Sequence, residues 1–183
     1  MTRPRVQISE RALTLYFVTG NKNKVAEAQK VLPELIHYQL DIDELQTLDK
    51  QAIVKDKLRQ ARKHLNKPFF LEDVSLDIQT LNNLPGPFIK YFIQEIGANK
   101  LSELTQESPA TATCMIGYFD GKKEHIITGQ TQGKIVTPKG NGWGFNPILE
   151  VNNTKQTLAQ LHEKNDYGYT HRTKALKKLK EQL

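Results

Sequence analysis

The sequence contains a single cysteine and no apolar run long enough to cross a membrane. Cys114 therefore has no partner for an internal disulfide, and we expect a reducing, cytoplasmic location. The first residues lack the apolar centre of a signal peptide, in line with that expectation. Zinc-ligand spacings and RNA-binding signatures are also missing. The sequence thus argues against a disulfide-stapled secreted scaffold, a zinc module and a membrane partner.

What the sequence does have is an excess of basic residues, 26 against 20 acidic ones, for a net charge of +6. A basic protein binds acidic partners such as nucleic acid, an anionic surface or a polyphosphate. Much of the excess lies in the last predicted helix, where a charge cluster is usually a solvated face. Because no nucleic-acid motif accompanies these residues, we do not expect nucleic acid as a partner. The basic residues of that helix are Arg172, Lys174, Lys177, Lys178 and Lys180.

Length and periodicity predict one α/β domain. The chain of 183 residues is long enough to bury a core, and we divide it into a loose extension at 1–12 and a single domain at 13–183. Apolar periodicity separates strands from helices, and Asp120-Gly121 is typical of a hairpin turn, so the sheet is expected to be mixed. The predicted strands are 13–18, 35–42, 68–73 with a second or continued strand at 74–78, 110–119, 124–129 and 133–136. The predicted helices follow Asn21 and cover 50–65, 87–96, 100–104, 157–163 and the segment from 170 onward.

The first predicted strand ends at Thr19-Gly20-Asn21, and a helix follows directly. A strand that turns sharply into a helix directs free backbone N–H groups and the positive end of the helix dipole at one spot. Lys22 and Lys24 flank the turn, so it is a candidate phosphate site. The alternative is an ordinary strand-to-helix turn, because the segment matches neither a Walker loop nor a dinucleotide fingerprint.

Three acidic residues lie at the ends of predicted strands: Glu44 comes just after the second strand, and Glu72-Asp73 are the last residues of the third. In an open sheet, ligands gather beyond the strand ends, where carboxylates and substrate phosphates together hold Mg²⁺. We therefore expect Glu44 and Asp73 on a metal, with either Glu72 or a metal-bound water near the point of attack. The competing interpretation is that these acids cap helices or lie in solvated loops.

Several cations and a Gly-rich aromatic loop lie at predicted element boundaries. A triphosphate needs several converging cations, and Lys55, Lys90, Lys164 and the pair His171-Arg172 are candidates. Cations are unusual at a helix start, so a bound anion or base would explain that pair, although a surface pair is common enough to be the default interpretation. Trp143 and Phe145, in the loop 138–147, could stack on a nucleobase or serve as anchors in the core.

Six short motifs occur in order and together carry a resemblance. They are Thr19-Gly20-Asn21-x-x-Lys24, Glu72-Asp73, Leu84-Pro85-Gly86-Pro87-Phe88-Ile89-Lys90, the loop Gly142 to Pro147, Glu163-Lys164-Asn165 and His171-Arg172. Each motif is weak alone, but the set resembles the inosine triphosphate pyrophosphatase family, also called the Ham1-like nucleoside triphosphate pyrophosphatases. The resemblance covers nearly the whole chain from residue 13 on.

The resemblance implies an elongated mixed β-sheet flanked by helices, with two lobes around a central cleft, usually in a homodimer. It also implies Mg²⁺-dependent hydrolysis of inosine, deoxyinosine and xanthosine triphosphates to monophosphate and pyrophosphate, which clears deaminated purines from the nucleotide pool. By position, the phosphate residues would be Thr19, Gly20, Asn21 and Lys24, the metal ligands Glu44 and Asp73, and further substrate contacts Lys55 and Lys90. Trp143, Gly144, Phe145, Asn146, Lys164, His171 and Arg172 would frame the base, and Asp73, Glu72 and Lys24 would serve catalysis.

The chain departs from the family pattern in three places. Asn146 stands where the family usually has aspartate, and an amide donates as well as accepts hydrogen bonds. Val74 follows the acidic pair where the family has a hydroxyl residue, which Ser75 could partly replace. Five residues, 166–170, separate two motifs that the family joins by about three, which would reshape the base end and add two tyrosines. We therefore expect retained hydrolysis with altered base selectivity.

Two other functions stay open at this point. A catalytically weak paralogue could bind nucleotides as a sensor or regulatory module, which Val74 and the longer 166–170 segment would favour. A pyrophosphatase for modified pyrimidine nucleotides, as in the related Maf-like fold, is the second alternative, although the full set of Ham1-like motifs argues against it.

Overall fold

The computed structural model describes residues 14–183, so the predicted extension at 1–12 lies outside the described residues. Seven strands within 14–183 form one open, mixed sheet in the order β2-β1-β3-β5-β6-β7, with β4 paired to β3 beside this path. The strands are β1 (Tyr16–Val18), β2 (Ile36–Tyr38), β3 (Phe69–Ile78), β4 (Leu84–Gly86), β5 (Pro109–Phe119), β6 (Glu124–Ile135) and β7 (Leu149–Val151). The helices are α1 (Lys22–Ala28), α2 (Lys50–Ala61), α3 (Ile89–Thr105), α4 (Leu158–Glu163) and α5 (His171–Lys180), and Gln79–Leu81 forms a 3₁₀ turn.

The predicted α/β fold with a mixed sheet is confirmed. Strands β1, β2 and β3 run parallel, whereas β3 pairs antiparallel with β4 and β5, and β6 pairs antiparallel with β5 and β7. None of the helices between residues 14 and 183 is long and apolar enough to cross a membrane.

Several predicted boundaries were wrong. Glu72 and Asp73 lie inside a strand rather than at its end, because β3 continues to Ile78 with unbroken pairing to β5, which confirms the alternative of a continued strand at 74–78. Likewise, β6 is one strand rather than two, since Gln130 to Gln132 keep their pairing with β5. The three-residue strands β4 and β7 were not predicted, because so short a segment shows no alternation.

Apolar side chains form three clusters around the sheet. One lies between the sheet and α1 and α5 and includes Phe17, Phe70 and Leu176. A second lies on the opposite face under α2, around Val54 and Leu58. The third, around Leu76 and Ile148, joins the ends of β3 and β5 to α3, α4 and β7. The first two clusters build one lobe and the third builds the other, which leaves a cleft between them.

One edge of β3 is open at the cleft. Strand β1 pairs with β3 only as far as Phe70, and β4 begins to pair with it at Leu76. Within residues 14–183, the segment between these points therefore has no strand partner on that edge. The bonds from Tyr16 N to Pro68 O and from Asn83 N to Ile78 O place the backbone groups of even-numbered β3 residues on this side. The N–H groups of residues 72 and 74 consequently face the cleft.

Candidate active site

The cleft between the lobes has a volume of about 820 Å³, within the range of small-molecule sites. Because β3 has an open edge here, side chains from both of its faces reach the same space. Glu72 projects toward α1 and α5, whereas Asp73 projects toward α2, and both line the cleft. Neighbouring side chains on a strand normally point to opposite faces and do not share a site, but here both faces of β3 border the same cleft.

The β1–α1 turn lines one wall of the cleft, as predicted, but its backbone N–H groups are partly used internally. Asn21 caps α1 and accepts hydrogen bonds from Asn23 N at 2.9 Å and Lys24 N at 3.4 Å. The Asn21 N–H itself donates to Thr19 Oγ1 at 3.1 Å. The turn is therefore held rigid by its own side chains, and Lys22 and Lys24 supply the charge at this wall.

Glu72 lies in a sealed ion cluster. The Arg172 Nε donates to both Glu72 carboxylate oxygens at 2.9 Å, and Lys24 Nζ lies 3.3 Å from Glu72 Oε1. On its other side, Arg172 Nη1 donates to Glu27 Oε2, and Thr170 Oγ1 donates to Glu27 Oε1 at 2.9 Å. Glu27, Glu72 and Arg172 are almost fully buried, and each charge has an opposite partner. We refer to Glu27, Glu72, Arg172 and Lys24 as the sealed cluster.

The electrostatics of the sealed cluster fix Glu72 as a carboxylate. Burial alone would raise the pKa of Glu72, but the charges of Arg172 and Lys24 and the Arg172 hydrogen bonds outweigh it and lower that pKa to about 2. A carboxylate with so low a pKa is a poor proton acceptor near neutral pH. Its contacts instead place Lys24 at the cleft wall, so Glu72 acts on the site through Lys24.

Glu27 was not predicted as a functional residue. It does not line the cleft, and a lone glutamate on a helix normally suggests a solvated position. The available signal was its place on the apolar stripe of α1 beside Val25 and Ala28, where an unpaired charge would be costly. The cation at the start of α5 is thus explained by two carboxylates of the same chain, rather than by a bound anion.

Asp73 lies in a second, more open ion cluster. Lys57 Nζ lies 2.7 Å from Asp73 Oδ1 and 2.8 Å from Glu44 Oε1. Burial lowers the pKa of Lys57, but the charges of Asp73 and Glu44 outweigh it and raise the pKa overall, so the side chain stays cationic. Glu44 belongs to an exposed loop before α2, unlike the buried partners of Glu72. We refer to Glu44, Asp73 and Lys57 as the open cluster.

Lys57, rather than Lys55, is the lysine of α2 that reaches the cleft. Lys55 is exposed and does not line the cleft, whereas Lys57 is buried. The helical period contained the signal, because residue 57 follows Val54 by three positions and precedes Ala61 by four, on the inner face of α2. The prediction that Lys55 contacts substrate therefore has no support in the geometry.

The aromatic loop contributes one core anchor and one cleft residue. Phe145 is buried in the third apolar cluster and its ring lies 5.7 Å from that of His171. Trp143 is half-buried, and its ring lies 5.3 Å from the guanidinium carbon of Arg172. Trp143, Gly144, Phe145 and Asn146 all line the cleft. Core packing therefore accounts for Phe145, whereas base stacking by Trp143 stays a prediction.

His171 and Asn146 bring buried polar atoms to this end of the cleft. Burial, with the charge of Arg172, lowers the pKa of His171 to about 3, so its ring is neutral near pH 7. Gly129 on β6 allows the close approach of α5 that buries it, because a Cβ there would lie 2.2 Å from the His171 carbonyl oxygen. His171 Nδ1 and Asn146 Nδ2 have no hydrogen-bond partner in the part of the chain that the structure describes.

Three further predictions meet different outcomes. Lys90 is exposed at the start of α3 and lines the cleft, as expected. Lys164 does not line it and donates instead to Gln156 Oε1. The two tyrosines of the segment 166–170 do not join the cleft, because Tyr167 stacks on His162 at 4.6 Å and Tyr169 is exposed, and neither lines it.

Ser75 cannot replace a hydroxyl at position 74. Val74 is half-buried, faces the same side as Glu72 and lines the cleft. Ser75 points to the opposite face of β3, is buried and does not line the cleft. The Val74 side chain therefore makes the cleft wall apolar at this point, where the backbone N–H of residue 74 faces the cleft.

The formal charges along the cleft balance. Among residues 14–183, five basic and five acidic side chains line it, while His171 is neutral. The lining side chains therefore give the cleft no net positive charge to attract an anion as highly charged as a triphosphate. The basic residues are Lys22, Lys24, Lys57, Lys90 and Arg172, and the acidic ones are Asp41, Asp43, Glu44, Glu72 and Asp73.

The donor set fits a magnesium ion that binds together with phosphate. No group of three or more His, Cys, Asp or Glu side chains within 14–183 could hold a metal on its own. Glu44 and Asp73 are close enough for one cation, the Lys57 ammonium, to contact both. One or two carboxylates plus substrate phosphates and water is the usual environment of Mg²⁺ in nucleotide enzymes.

Comparison with known proteins places the chain in a family. A model described as the Ham1 family matches residues 15–182. The chain is 36% identical over 186 residues to the inosine triphosphate pyrophosphatase of Puccinia graminis f. sp. tritici, covering 93% of this chain and 96% of that protein. It is 38% identical over 176 residues to the protein of the same name from Pyricularia oryzae, covering 91% of each.

A solved structure shows the same architecture. The HAM1 protein from Coxiella burnetii superposes with a TM-score of 0.77 at 26% sequence identity, over 92% of this chain and 96% of that one. The family match covers almost all of the described residues, including both ion clusters and the aromatic loop. This chain is a member of the Ham1 family.

Proposed function

We propose that this protein hydrolyses non-standard purine nucleoside triphosphates (ITP, dITP and XTP) to monophosphate and pyrophosphate with Mg²⁺, and so clears them from a cytoplasmic nucleotide pool. The observation that carries the proposal is the cleft itself, which joins a cationic wall at Lys24, two carboxylates at Glu44 and Asp73, and an aromatic end at Trp143. The relatives' printed name, inosine triphosphate pyrophosphatase, supports the same activity.

The chain's own residues divide the work along the cleft. Lys22 and Lys24, with Lys90 on the opposite lobe, bind the phosphate oxygens, and Lys24 is aimed by Glu72. Glu44 and Asp73 would hold the metal. When bound, Mg²⁺ neutralises phosphate charge and lowers the pKa of a coordinated water. Fixed cations of this kind stabilise the charge that develops on phosphate oxygens during attack, without a covalent intermediate.

The experiment is pyrophosphate release with Mg²⁺ over ITP, dITP, XTP and the common ribonucleotides and deoxyribonucleotides, for the native protein and Asp73→Asn. The variant keeps the size and shape of the side chain and removes its charge, so it tests the metal role. Turnover of ITP or XTP that Asp73→Asn abolishes is the expected result. Turnover that is equal in both proteins would contradict the role of Asp73.

We also propose that Asn146 alters base selectivity relative to relatives with aspartate there. A buried amide N–H without a partner is costly, and an oxygen acceptor on a purine ring would satisfy it. An ionised aspartate only accepts hydrogen bonds. Asn146→Asp should change the ratio of kcat/KM for ITP to that for ATP by about tenfold or more. An unchanged ratio would show that position 146 does not contact the base.

A nucleotide-binding sensor is the second candidate, because Val74 leaves the wall beside Asp73 apolar. It predicts nucleotide binding in calorimetry without pyrophosphate release.

A homodimer is part of the proposal and is supported by the family resemblance. Light scattering coupled to size-exclusion chromatography tests it, and a mass of 20.9 kDa, that of one chain, would contradict it.

A further inference from the structure

Lys57 occupies the position between the two carboxylates that the proposed function assigns to the metal. Its ammonium lies 2.8 Å from Glu44 Oε1 and 2.7 Å from Asp73 Oδ1, within charge-assisted hydrogen-bond distance of both. Only 8% of the Lys57 side chain is exposed, so water competes little for these contacts. Without nucleotide, the open cluster is therefore already satisfied by a cation of the protein itself.

We propose that Lys57 is a tethered counter-ion that keeps Mg²⁺ out of the free protein, so that the metal binds together with the triphosphate rather than before it. This inference rests on the proposed function, and it adds an order of binding that the function does not require. In the free protein, Mg²⁺ would have to displace an ammonium from both carboxylates. It would gain only those two side chains in return, because no third acidic, His or Cys ligand is arranged there among residues 14–183.

A triphosphate changes this balance by offering new partners to both cations. Its oxygens supply the metal ligands that the protein lacks, and they also accept hydrogen bonds from the displaced ammonium. A lysine suits this exchange because its charge is a compact group on a flexible four-carbon chain. Glu44 and Asp73 would then hold the metal, while Lys57 would turn to a phosphate oxygen in the same cleft.

The helix that carries Lys57 supports a movement of the side chain alone. Val54, Leu58 and Ala61 anchor α2 in the apolar cluster under the sheet and are fully buried. By contrast, Glu44 lies in the exposed segment before α2 and is held at its carboxylate by Lys57. Exchange therefore requires rotation of the Lys57 side chain and adjustment of this loop, with the helix in place.

The test is calorimetric titration of the nucleotide-free protein with Mg²⁺, and separately with Mn²⁺, for the native chain, Lys57→Met and Lys55→Met. Methionine keeps the length of the side chain and removes the charge. Lys55→Met is the matched control, because it makes the same change two residues away on the exposed face. We expect Lys57→Met to bind the metal at least tenfold more tightly than the native protein, and Lys55→Met to bind it as the native protein does.

An equal metal affinity in all three proteins would overturn the proposal. Circular dichroism melts establish that each variant folds, and Lys57→Gln replaces Lys57→Met if methionine prevents folding. A second measurement needs no variant: the native protein should bind Mg²⁺ at least tenfold more tightly when saturated with a non-hydrolysable ITP analogue. Equal affinity with and without the analogue would also overturn it. Neither titration involves turnover. Failure of the proposed activity would instead show as absent pyrophosphate release in the nucleotide panel, so the two failures can be told apart.

Discussion

Adjacent residues of β3 belong to two ion clusters that differ in almost every physical respect. Glu72 enters the sealed cluster, where Arg172 is only 2% exposed and two carboxylates share its charge. Asp73 enters the open cluster, where Glu44 is 35% exposed and sits on a loop. A buried ion pair keeps its partners because separation leaves an uncompensated charge, whereas a partly open one can exchange a partner. The contacts within the sealed cluster are thus fixed, whereas those within the open cluster can exchange when a ligand binds.

Removing the central cation should have the largest effect. Arg172→Met leaves Glu27 and Glu72 buried without their common partner, so we expect a loss of about 3–5 kcal/mol in the free energy of unfolding. Lys57→Met should cost less, since Glu44 can turn to solvent. Urea denaturation of the two variants beside the native protein measures both. Equal losses would contradict the distinction between the clusters.

Acid should destabilise the protein in two steps, first through His171 beside the sealed cluster and then through Glu72 within it. The pKa of His171 is about 3, below its ordinary 6.5, so the unfolded chain binds the proton first and stability falls as pH drops from 6.5 toward 3. The pKa of Glu72 is about 2, below its ordinary 4.5, so its contribution is complete above pH 4.5 and is lost as pH falls toward 2. Through His171, lowering the pH from 6.5 to 5 should therefore reduce the free energy of unfolding by about 2 kcal/mol.

Denaturation curves of the native protein and His171→Gln at those two pH values isolate the first step. The variant lacks the His171 imidazole, so the part of the pH dependence that His171 contributes should disappear. Burial also lowers the pKa of His162, and its contribution should remain in both proteins. If both proteins lose stability equally between pH 6.5 and 5, His171 is not held neutral.

A smaller effect, on KM, is expected from a change at Val74, the residue that follows Glu72 and Asp73 on β3. Val74→Thr adds a hydroxyl to the cleft wall with little change in shape, next to the backbone N–H that already faces the cleft. A hydrogen bond to a charged phosphate oxygen would lower KM for the triphosphate by about threefold to tenfold. Ser75→Ala is the matched control, because its hydroxyl faces away, and it should leave KM unchanged. Steady-state kinetics on the best substrate decides between them.

The smallest effect should appear at the single cysteine. Cys114 Sγ lies 3.4 Å from Glu72 Oε2, and burial together with that carboxylate raises the pKa of the thiol well above its ordinary value. The native thiol should therefore resist iodoacetamide at pH 8. Glu27→Gln should speed its alkylation severalfold by loosening the sealed cluster, whereas Lys57→Met should not. Mass spectrometry over time measures the rate, and equal acceleration in both variants would contradict the separation.

The sequence predicted the parts of the site that follow one another along the chain. The turn Thr19-Gly20-Asn21 and the start of α5 were placed correctly because strand, cap and helix signals are local. Asp73 and Glu44 could be named, but their shared partner could not, since the contact to Lys57 depends on which face of α2 packs on the sheet. The same reason explains why Lys55 was chosen in its place.

Long-range contacts account for the rest of what was missed. Glu27 and Arg172 are 145 residues apart, and no local pattern predicts that they share a hydrogen bond. The open edge of β3 also depends on where β1 stops and β4 begins, which short strands do not reveal. Consequently the sequence could not show that Glu72 and Asp73 reach one cleft from opposite faces.

The most direct test of this account is a crystal structure with Mg²⁺ and a non-hydrolysable ITP analogue. We predict that the metal contacts Glu44 and Asp73 while Lys57 has moved to a phosphate oxygen, and that Arg172 still contacts Glu27 and Glu72. A structure in which Lys57 stays between Glu44 and Asp73, or in which the sealed cluster opens instead, would contradict the account.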